Sequence, residues 1–143
     1  MKTVGRISFF ILLSILVGLI SRYLKSDYLG KFLEDKIVEL LITLLAINVA
    51  TCGIIVLKLE EVSKIYNKDF SATIKEIKLS LTYQIWFIGI SISTLILFHS
   101  KTISESFGEN HKFLFDTILT TIFICSIDIL RDTGMAIFLI RSK

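Results

Sequence analysis

Long uninterrupted runs of apolar residues dominate this chain and predict helices that cross a membrane. Leu79 to Ser100 contains 22 residues without an Asp, Glu, Lys or Arg, and Leu40 to Leu57 contains 18. An uncharged apolar run of about 18 residues is long enough to cross a bilayer as a helix. Two further apolar runs begin near Ile7 and Phe113. The pattern therefore predicts four spans, at about 7–24, 37–57, 79–98 and 113–140.

Composition supports an all-α integral membrane protein with a single four-span domain over residues 1–143. The mean hydropathy of +0.74 is too high for an ordinary soluble domain of this length. The chain contains no proline, and proline kinks or breaks helices. The apolar runs are too long and too rarely alternating for the strands of a membrane barrel. A four-transmembrane-helix bundle is the expected fold, because lipid admits only helices or closed barrels.

The segment between the second and third spans reads as a helical hairpin that extends both of them. Apolar residues recur at helical spacing in its two halves, and Asn67 to Asp69 gives a turn signal between them. Thr73 and Glu76 have the spacing of a capping box. The hairpin is a candidate docking surface for a cytosolic protein, or simply a pair of solvated helix ends near anionic lipid headgroups. Its candidate docking residues are Lys58, Lys64, Lys68, Lys75 and Lys78.

The distribution of Lys and Arg predicts that both termini and this hairpin lie in the cytoplasm. With four spans, the termini share one side with the hairpin, and that side carries nine basic residues, or ten if Arg131 is counted. The two opposite loops carry six. The side richer in Lys and Arg faces the cytoplasm in membrane proteins. This predicts a multi-pass protein of a bacterial cytoplasmic (inner) membrane.

Small residues inside the second and third spans predict close helix packing. Small side chains let helix backbones approach each other in lipid. The contact is expected either within one chain or between copies of it, and a thin bundle of four helices favours a homo-oligomer. Pore lining by nearby polar residues is the alternative. The small residues are Ala46, Ala50 and Gly53 in the second span, with Gly89 and Ser93 in the third.

Charged residues interrupt the fourth span at "SIDILRDTG", Ser126 to Gly134. On a helix Asp128, Arg131 and Asp132 share one side. A charge in the bilayer interior must be paired or face water or protein. We expect Asp128 and Arg131 to form an ion pair at the inner mouth of the bundle. The alternative ends the span at Leu130 and exposes these charges at the surface.

No residue pattern predicts catalysis, and the chain is not expected to be an enzyme. It has no Gly-rich phosphate loop, no zinc-protease motif and no nucleophile at motif spacing from a base. His99 and His111 are separated too widely along the chain for their spacing to support a metal site. Cys52 and Cys125 are interpreted as small apolar residues. No cofactor, metal or direct nucleic-acid contact is expected; the expected partners are the lipid bilayer, further copies of the chain and a cytosolic protein.

The stretches "LLAINVATCGIIVLKLEEVSKIY" and "DFSATIKEIKLSLTYQIWF" join a small-residue-rich span to a lysine-rich hairpin and a polar-started third span. This arrangement, over Leu44 to Phe87, resembles the four-helix membrane subunits of bacterial phage-exclusion and anti-phage systems of the Rex and Kiwa types. The resemblance implies a membrane anchor and sensor that docks a cytosolic effector in antiviral defence. The alternative function is an ion channel or membrane-depolarising effector. No functional residue of those families is matched here.

Overall fold

The computed structural model describes residues 2–66, 69–100 and 111–141, and they form four helices. These are α1 (Lys2–Tyr23), α2 (Tyr28–Tyr66), α3 (Ser71–Phe98) and α4 (His111–Arg141). The described residues contain no strand, so the all-α prediction is confirmed. Each helix contains a segment long and apolar enough to cross a membrane.

Helix α2 is much longer than a membrane crossing requires. Its 39 residues correspond to about 58 Å of helix, against roughly 30 Å for a hydrocarbon core. The second span predicted at 37–57 is therefore the middle of a continuous helix that extends at both ends. At its carboxyl end, α2 continues to Tyr66 and forms the first half of the predicted hairpin. The second half begins with α3 at Ser71. The turn residues Asn67 and Lys68 lie outside the described residues.

The start of α3 differs from the capping box expected at Thr73 and Glu76. The helix begins two residues earlier, at Ser71, and Phe70 precedes it without a side-chain cap. The Asp69 carboxylate accepts hydrogen bonds from the Ser71 backbone N–H at 2.8 Å and from its hydroxyl at 2.9 Å. These bonds lower the pKa of Asp69 below its ordinary value. The Asp69 carboxylate thus satisfies a backbone N–H that has no partner within the helix, at a position before the predicted capping box.

The four helices pack asymmetrically around α4. Helix α4 contacts all three others, α2 also packs against α3, and α1 packs chiefly against α4. The result is a three-helix core of α2, α3 and α4 with α1 laid along one side. The start of α1, the α2–α3 connection and the end of α4 share one end of the bundle, here called the proximal end. The α1–α2 and α3–α4 connections lie at the opposite, distal end.

The interior combines an apolar cluster with many polar side chains, while large apolar residues cover the outside. Leu33, Ile37 and Leu41 of α2 pack with Leu119 and Ile122 of α4. Outward apolar residues surrounding a partly polar interior are typical of helices that pack in lipid, where polar groups bridge helices. The buried polar residues are Ser14, Asn48, Gln84, Ser91, Thr94, Thr120, Ser126 and Thr133.

Candidate functional site

An ionic cluster joins α1 to α4 at the proximal end. Arg6 donates from Nη2 to Asp128 Oδ2 at 2.5 Å and from Nη1 to Asp132 Oδ2 at 2.8 Å. Asp128 and Asp132 are one turn apart on α4 and present both carboxylates to the same guanidinium. The Asp128 side chain is only 14% exposed. The guanidinium therefore bridges two carboxylates and ties the start of α1 to α4.

Arg131 is a secondary member of this proximal ionic cluster. It lies 3.5 Å from Asp128 and 3.4 Å from Asp132, and its side chain is 68% exposed. The sequence pattern placed Asp128, Arg131 and Asp132 on one side of α4, and the structure brings all three together. The shortest contacts, however, belong to Arg6, which was not predicted from the sequence as a member of this cluster. Arg6 and Asp128 are 122 residues apart, so no local spacing signals their pairing.

The charged stretch from Ser126 to Gly134 does not interrupt α4, which continues to Arg141. Ser126 and Thr133 are buried and donate to the carbonyls of Ile122 and Ile129, one turn earlier. Their hydroxyls are thereby satisfied within the helix. The helix thus has buried positions before and after its charges, which fits packing on the neighbouring helices along this whole stretch.

A neutral polar contact links α2 and α3 inside the bundle. Asn48 Nδ2 donates to Gln84 Oε1 at 2.9 Å, and both side chains are buried. Cys52 Sγ lies 3.7 Å from Asn48 Oδ1. Among the described residues, Gln84 Nε2 and the Ser91 hydroxyl are buried without a hydrogen-bond partner. These polar groups of the second and third spans face the interior, where the pore-lining alternative would require them.

The small residues predicted to pack closely face away from the rest of the chain. Ala46, Ala50 and Gly53 of α2 are exposed, and so are Gly89 and Ser93 of α3. A Cβ added at Gly53 or Gly89 would meet nothing within 4 Å. The Ser93 hydroxyl donates to the Gly89 carbonyl of its own helix at 2.9 Å. These residues make no close contact between the described helices of one chain, which leaves contact between chains or with lipid.

The predicted docking lysines lie on an extension of mixed charge. Lys58 pairs with Glu61 at 2.6 Å, while Lys64, Lys75 and Lys78 are exposed and Lys68 lies outside the described residues. Four acidic residues interleave with the five lysines of residues 58–78, which leaves a formal charge of +1 by subtraction. The acidic residues are Glu60, Glu61, Asp69 and Glu76.

At the distal end, polar side-chain contacts connect the ends of different helices. Lys112 Nζ of α4 contacts Asp27 Oδ2 of the α1–α2 connection at 2.8 Å. The Lys112 ammonium lowers the pKa of Asp27 below its ordinary value. His99 Nε2 at the end of α3 lies 3.3 Å from Glu34 Oε1 of α2. No sequence pattern predicted a partner for His99, which contacts the neighbouring helix α2 through Glu34.

A cavity of about 210 Å³ lies beside the Asp27–Lys112 pair. The partly buried carboxylate of Asp116 lines it, and a Cβ at Gly30 would come within 2.6–2.8 Å of that carboxyl group. Gly30 is buried, so the missing side chain creates the room that Asp116 occupies. The distal cavity is lined by Val17, Gly18, Ser21, Arg22, Ser26, Asp27, Leu29, Gly30, Lys112, Phe113, Asp116 and Thr120.

The described residues contain no group of His, Cys, Asp or Glu side chains arranged to hold a metal ion. No protein-family model matches the chain, and neither a curated protein nor a solved structure shows significant similarity to it.

Proposed function

We propose that this protein is a four-span subunit of a bacterial cytoplasmic membrane that anchors a cytosolic effector of an anti-phage defence system. The observation that carries this proposal is the length of α2 and α3 at the proximal end. Both helices continue beyond the apolar spans, as residues 58–66 and 71–78, where a short turn would suffice to connect them. Leu59 is buried within this extension, which supports a packed structure there.

The surface of the extension suits a protein partner better than a lipid headgroup layer. Its positive and negative side chains nearly cancel, and an anionic membrane surface attracts a segment in proportion to its excess of Lys and Arg. Ile65 is 68% exposed and Leu79 is 49% exposed beside these charges. Apolar residues bordered by mixed charges are a common composition of protein interfaces.

The effector hypothesis is tested by charge reversal on the extension. Lys64→Glu/Lys75→Glu is compared with Lys25→Glu/Lys31→Glu, a matched pair at the distal end. Tagged proteins are purified from the native host in detergent, co-purifying proteins are identified by mass spectrometry, and protection against phage is measured in parallel. We expect the first pair to lose its partner and its protection, and the second to keep both. Equal retention by the two pairs would refute docking through the extension.

Docking of a cytosolic partner requires the proximal end to face the cytoplasm. Ala72 and Lys25 are exposed at opposite ends of the bundle, and each is replaced by a single cysteine in a background lacking Cys52 and Cys125. An impermeant thiol reagent applied to intact cells should label the cysteine at position 25 and leave position 72 unlabelled. The reverse result would overturn the orientation and, with it, the cytosolic partner.

Self-association through the outward small residues is the second part of the proposal. Ala50→Leu should disturb a tight contact between copies, whereas Val49→Leu, at a neighbouring position that is 50% exposed, should not. Light scattering of the purified detergent complexes measures the oligomer size. An unchanged size for Ala50→Leu would indicate that this face contacts lipid.

The alternative function, an ion channel or membrane-depolarising effector, is favoured by the buried polar side chains of the interior. The unpartnered Gln84 Nε2 and Ser91 hydroxyl are the groups most in need of water or an ion. A planar bilayer containing the purified protein alone separates the two functions. An anchor should conduct little, whereas a channel should conduct without its partner and lose conductance in Gln84→Leu.

A further inference from the structure

The distal cavity contains two opposite charges that are not paired with each other. Arg22 of α1 and Asp116 of α4 both line it, and neither forms an ion pair with any of the described residues. Lys112 lies one turn before Asp116 on α4, but its ammonium group pairs with Asp27 at 2.8 Å. A partly buried carboxylate without a bonded cation is costly near a membrane, so a ligand that supplies one would be favoured there.

The position of Asp116 makes its carboxylate available to such a ligand. Gly30 leaves the space that the carboxyl group occupies, since any side chain there would contact it. The carboxyl group accepts no hydrogen bond from the described residues, in contrast to the Asp128 carboxylate, which accepts one from Arg6. The Asp116 carboxyl group thus packs against Gly30 and lines the cavity, and its capacity to accept hydrogen bonds is not used by the described residues.

The size and lining of the distal cavity limit what can bind. Its volume of about 210 Å³ is below the roughly 300–1,000 Å³ of pockets that hold drug-sized ligands. Val17, Leu29 and Phe113 supply apolar walls, and Ser21 and Ser26 supply polar ones. A small group with one positive and one negative charge, attached to an apolar tail, satisfies this combination.

We propose that the distal cavity binds a phosphoethanolamine group, with its ammonium at Asp116 and its phosphate at Arg22. The ammonium donates hydrogen bonds to the carboxylate, and the guanidinium is the side chain best suited to pair with phosphate. The cavity lies at the end of the α1 and α4 spans, where phospholipid headgroups are placed, so the expected source is phosphatidylethanolamine.

The first experiment compares headgroups on the unaltered protein. Thermal unfolding and native mass spectrometry of the detergent-solubilised chain are followed with short-chain phosphatidylethanolamine, phosphatidylcholine and phosphatidylglycerol. Phosphatidylethanolamine should bind about tenfold or more tightly than the other two, because choline has no N–H donor and glycerol has no positive charge. Equal affinity for all three lipids would overturn the proposal, as would tighter binding of phosphatidylglycerol.

Substitutions then assign the contacts. Asp116→Asn and Arg22→Gln should each abolish the preference for phosphatidylethanolamine, whereas the exposed controls Asp35→Asn and Lys31→Gln should retain it. If Asp116→Asn fails to fold, Arg22→Gln and the headgroup series on the unaltered chain decide the question. A preference that survives in folded Asp116→Asn contradicts the assignment.

Soluble ligands identify the source of the headgroup. Free phosphoethanolamine should compete weakly with the lipid, since it lacks the acyl chains that partition beside α1. Competition as strong as that of the lipid would support the same site with a soluble ligand. Competition by ethylamine alone or by inorganic phosphate alone, at the strength of phosphoethanolamine, would overturn a site for both charges. The proposal does not depend on the effector hypothesis, because its readouts are lipid affinity and stability.

Discussion

Helix α4 places two aspartates in contrasting surroundings, toward opposite ends of the bundle. Asp128, at the proximal end, receives the guanidinium of Arg6 at 2.5 Å. Asp116, twelve residues earlier at the distal end, receives no hydrogen bond from the described residues and lines a cavity. Helix α1 carries an arginine near each end, but only Arg6 reaches a carboxylate of α4. The ion pair of Arg6 fixes α1 to α4, whereas the Asp116 carboxylate lines a cavity without an ion pair to the described residues.

Removing the guanidinium at the proximal end should have the largest effect on stability. Arg6→Gln leaves Asp128 and Asp132 close together and one of them largely buried, so the free energy of unfolding should fall by about 1–3 kcal/mol. This is below the roughly 3–5 kcal/mol of a fully buried pair, because Arg6 is partly exposed. Reversible unfolding in mixed micelles measures the change.

The control for this prediction is Arg131→Gln on α4. Its side chain is 68% exposed and its contacts are longer, so the change should cost less than about 0.5 kcal/mol. If Arg131→Gln destabilises the protein as much as Arg6→Gln does, the ion pair expected from the sequence, Asp128 with Arg131, contributes as much to the stability of the cluster as Arg6 does.

Filling the space beside Asp116 should have the next largest effect. Gly30→Ala places a methyl group 2.6 Å from the carboxylate, which must move. Gly134→Ala, inside α4, meets nothing within 4 Å and should gain about 0.5–1 kcal/mol from its helix preference. The two variants should differ by about 1–2 kcal/mol in free energy of unfolding. Equal stabilisation would show that the distal cavity accommodates a methyl group freely.

A neutral contact midway along the bundle provides a reference for the two charged ends. A double-mutant cycle on Asn48→Ala and Gln84→Ala should give a coupling of about 0.6 kcal/mol, and at most about 1.7, as for other hydrogen bonds between membrane helices. Unfolding in micelles of the four proteins supplies the cycle. A coupling near zero would mean that water replaces Asn48 as the hydrogen-bond partner of Gln84 without a loss of stability.

The smallest effect should come from acidification at the distal end. Lys112 lowers the pKa of Asp27, so the pair stabilises the fold above the ordinary pKa of about 3.9. This contribution is lost as pH falls through the lowered pKa of the folded state. The melting temperature of the unaltered protein should therefore fall slightly more than that of Asp27→Asn below about pH 4, and the two should run parallel between about pH 5 and 8. A difference that appears only above pH 5 would contradict the pairing.

The helices could be predicted from the sequence more reliably than the contacts between them. Three of the four predicted spans lie inside helices, and the first, predicted at 7–24, ends one residue beyond α1. The charged stretch from Ser126 to Gly134 is helical, which both of its interpretations allow. The helices are longer than the apolar spans, since α2 begins at Tyr28, before the span predicted from residue 37, and α3 begins at Ser71, inside the predicted hairpin. Charged and apolar residues alternate at these ends, so hydropathy falls while helical spacing continues. The length of a helix and the length of its apolar part are separate quantities.

Long apolar helices could be predicted from the sequence without any tertiary information, because apolar length and backbone hydrogen bonding are local properties of each segment. The shared side of Asp128, Arg131 and Asp132 on α4 could be predicted as well, since it follows from helical periodicity. Packing of the helices was needed to show that Arg6 takes both aspartates, that Asp116 lies against Gly30, and that Ala50 and Gly53 face outward. Those outcomes depend on which faces meet when helices distant in the sequence pack together. Helical periodicity shows which residues of one helix share a face, but it does not show which neighbouring helix that face contacts, because it is the same for every rotation of the helix about its axis.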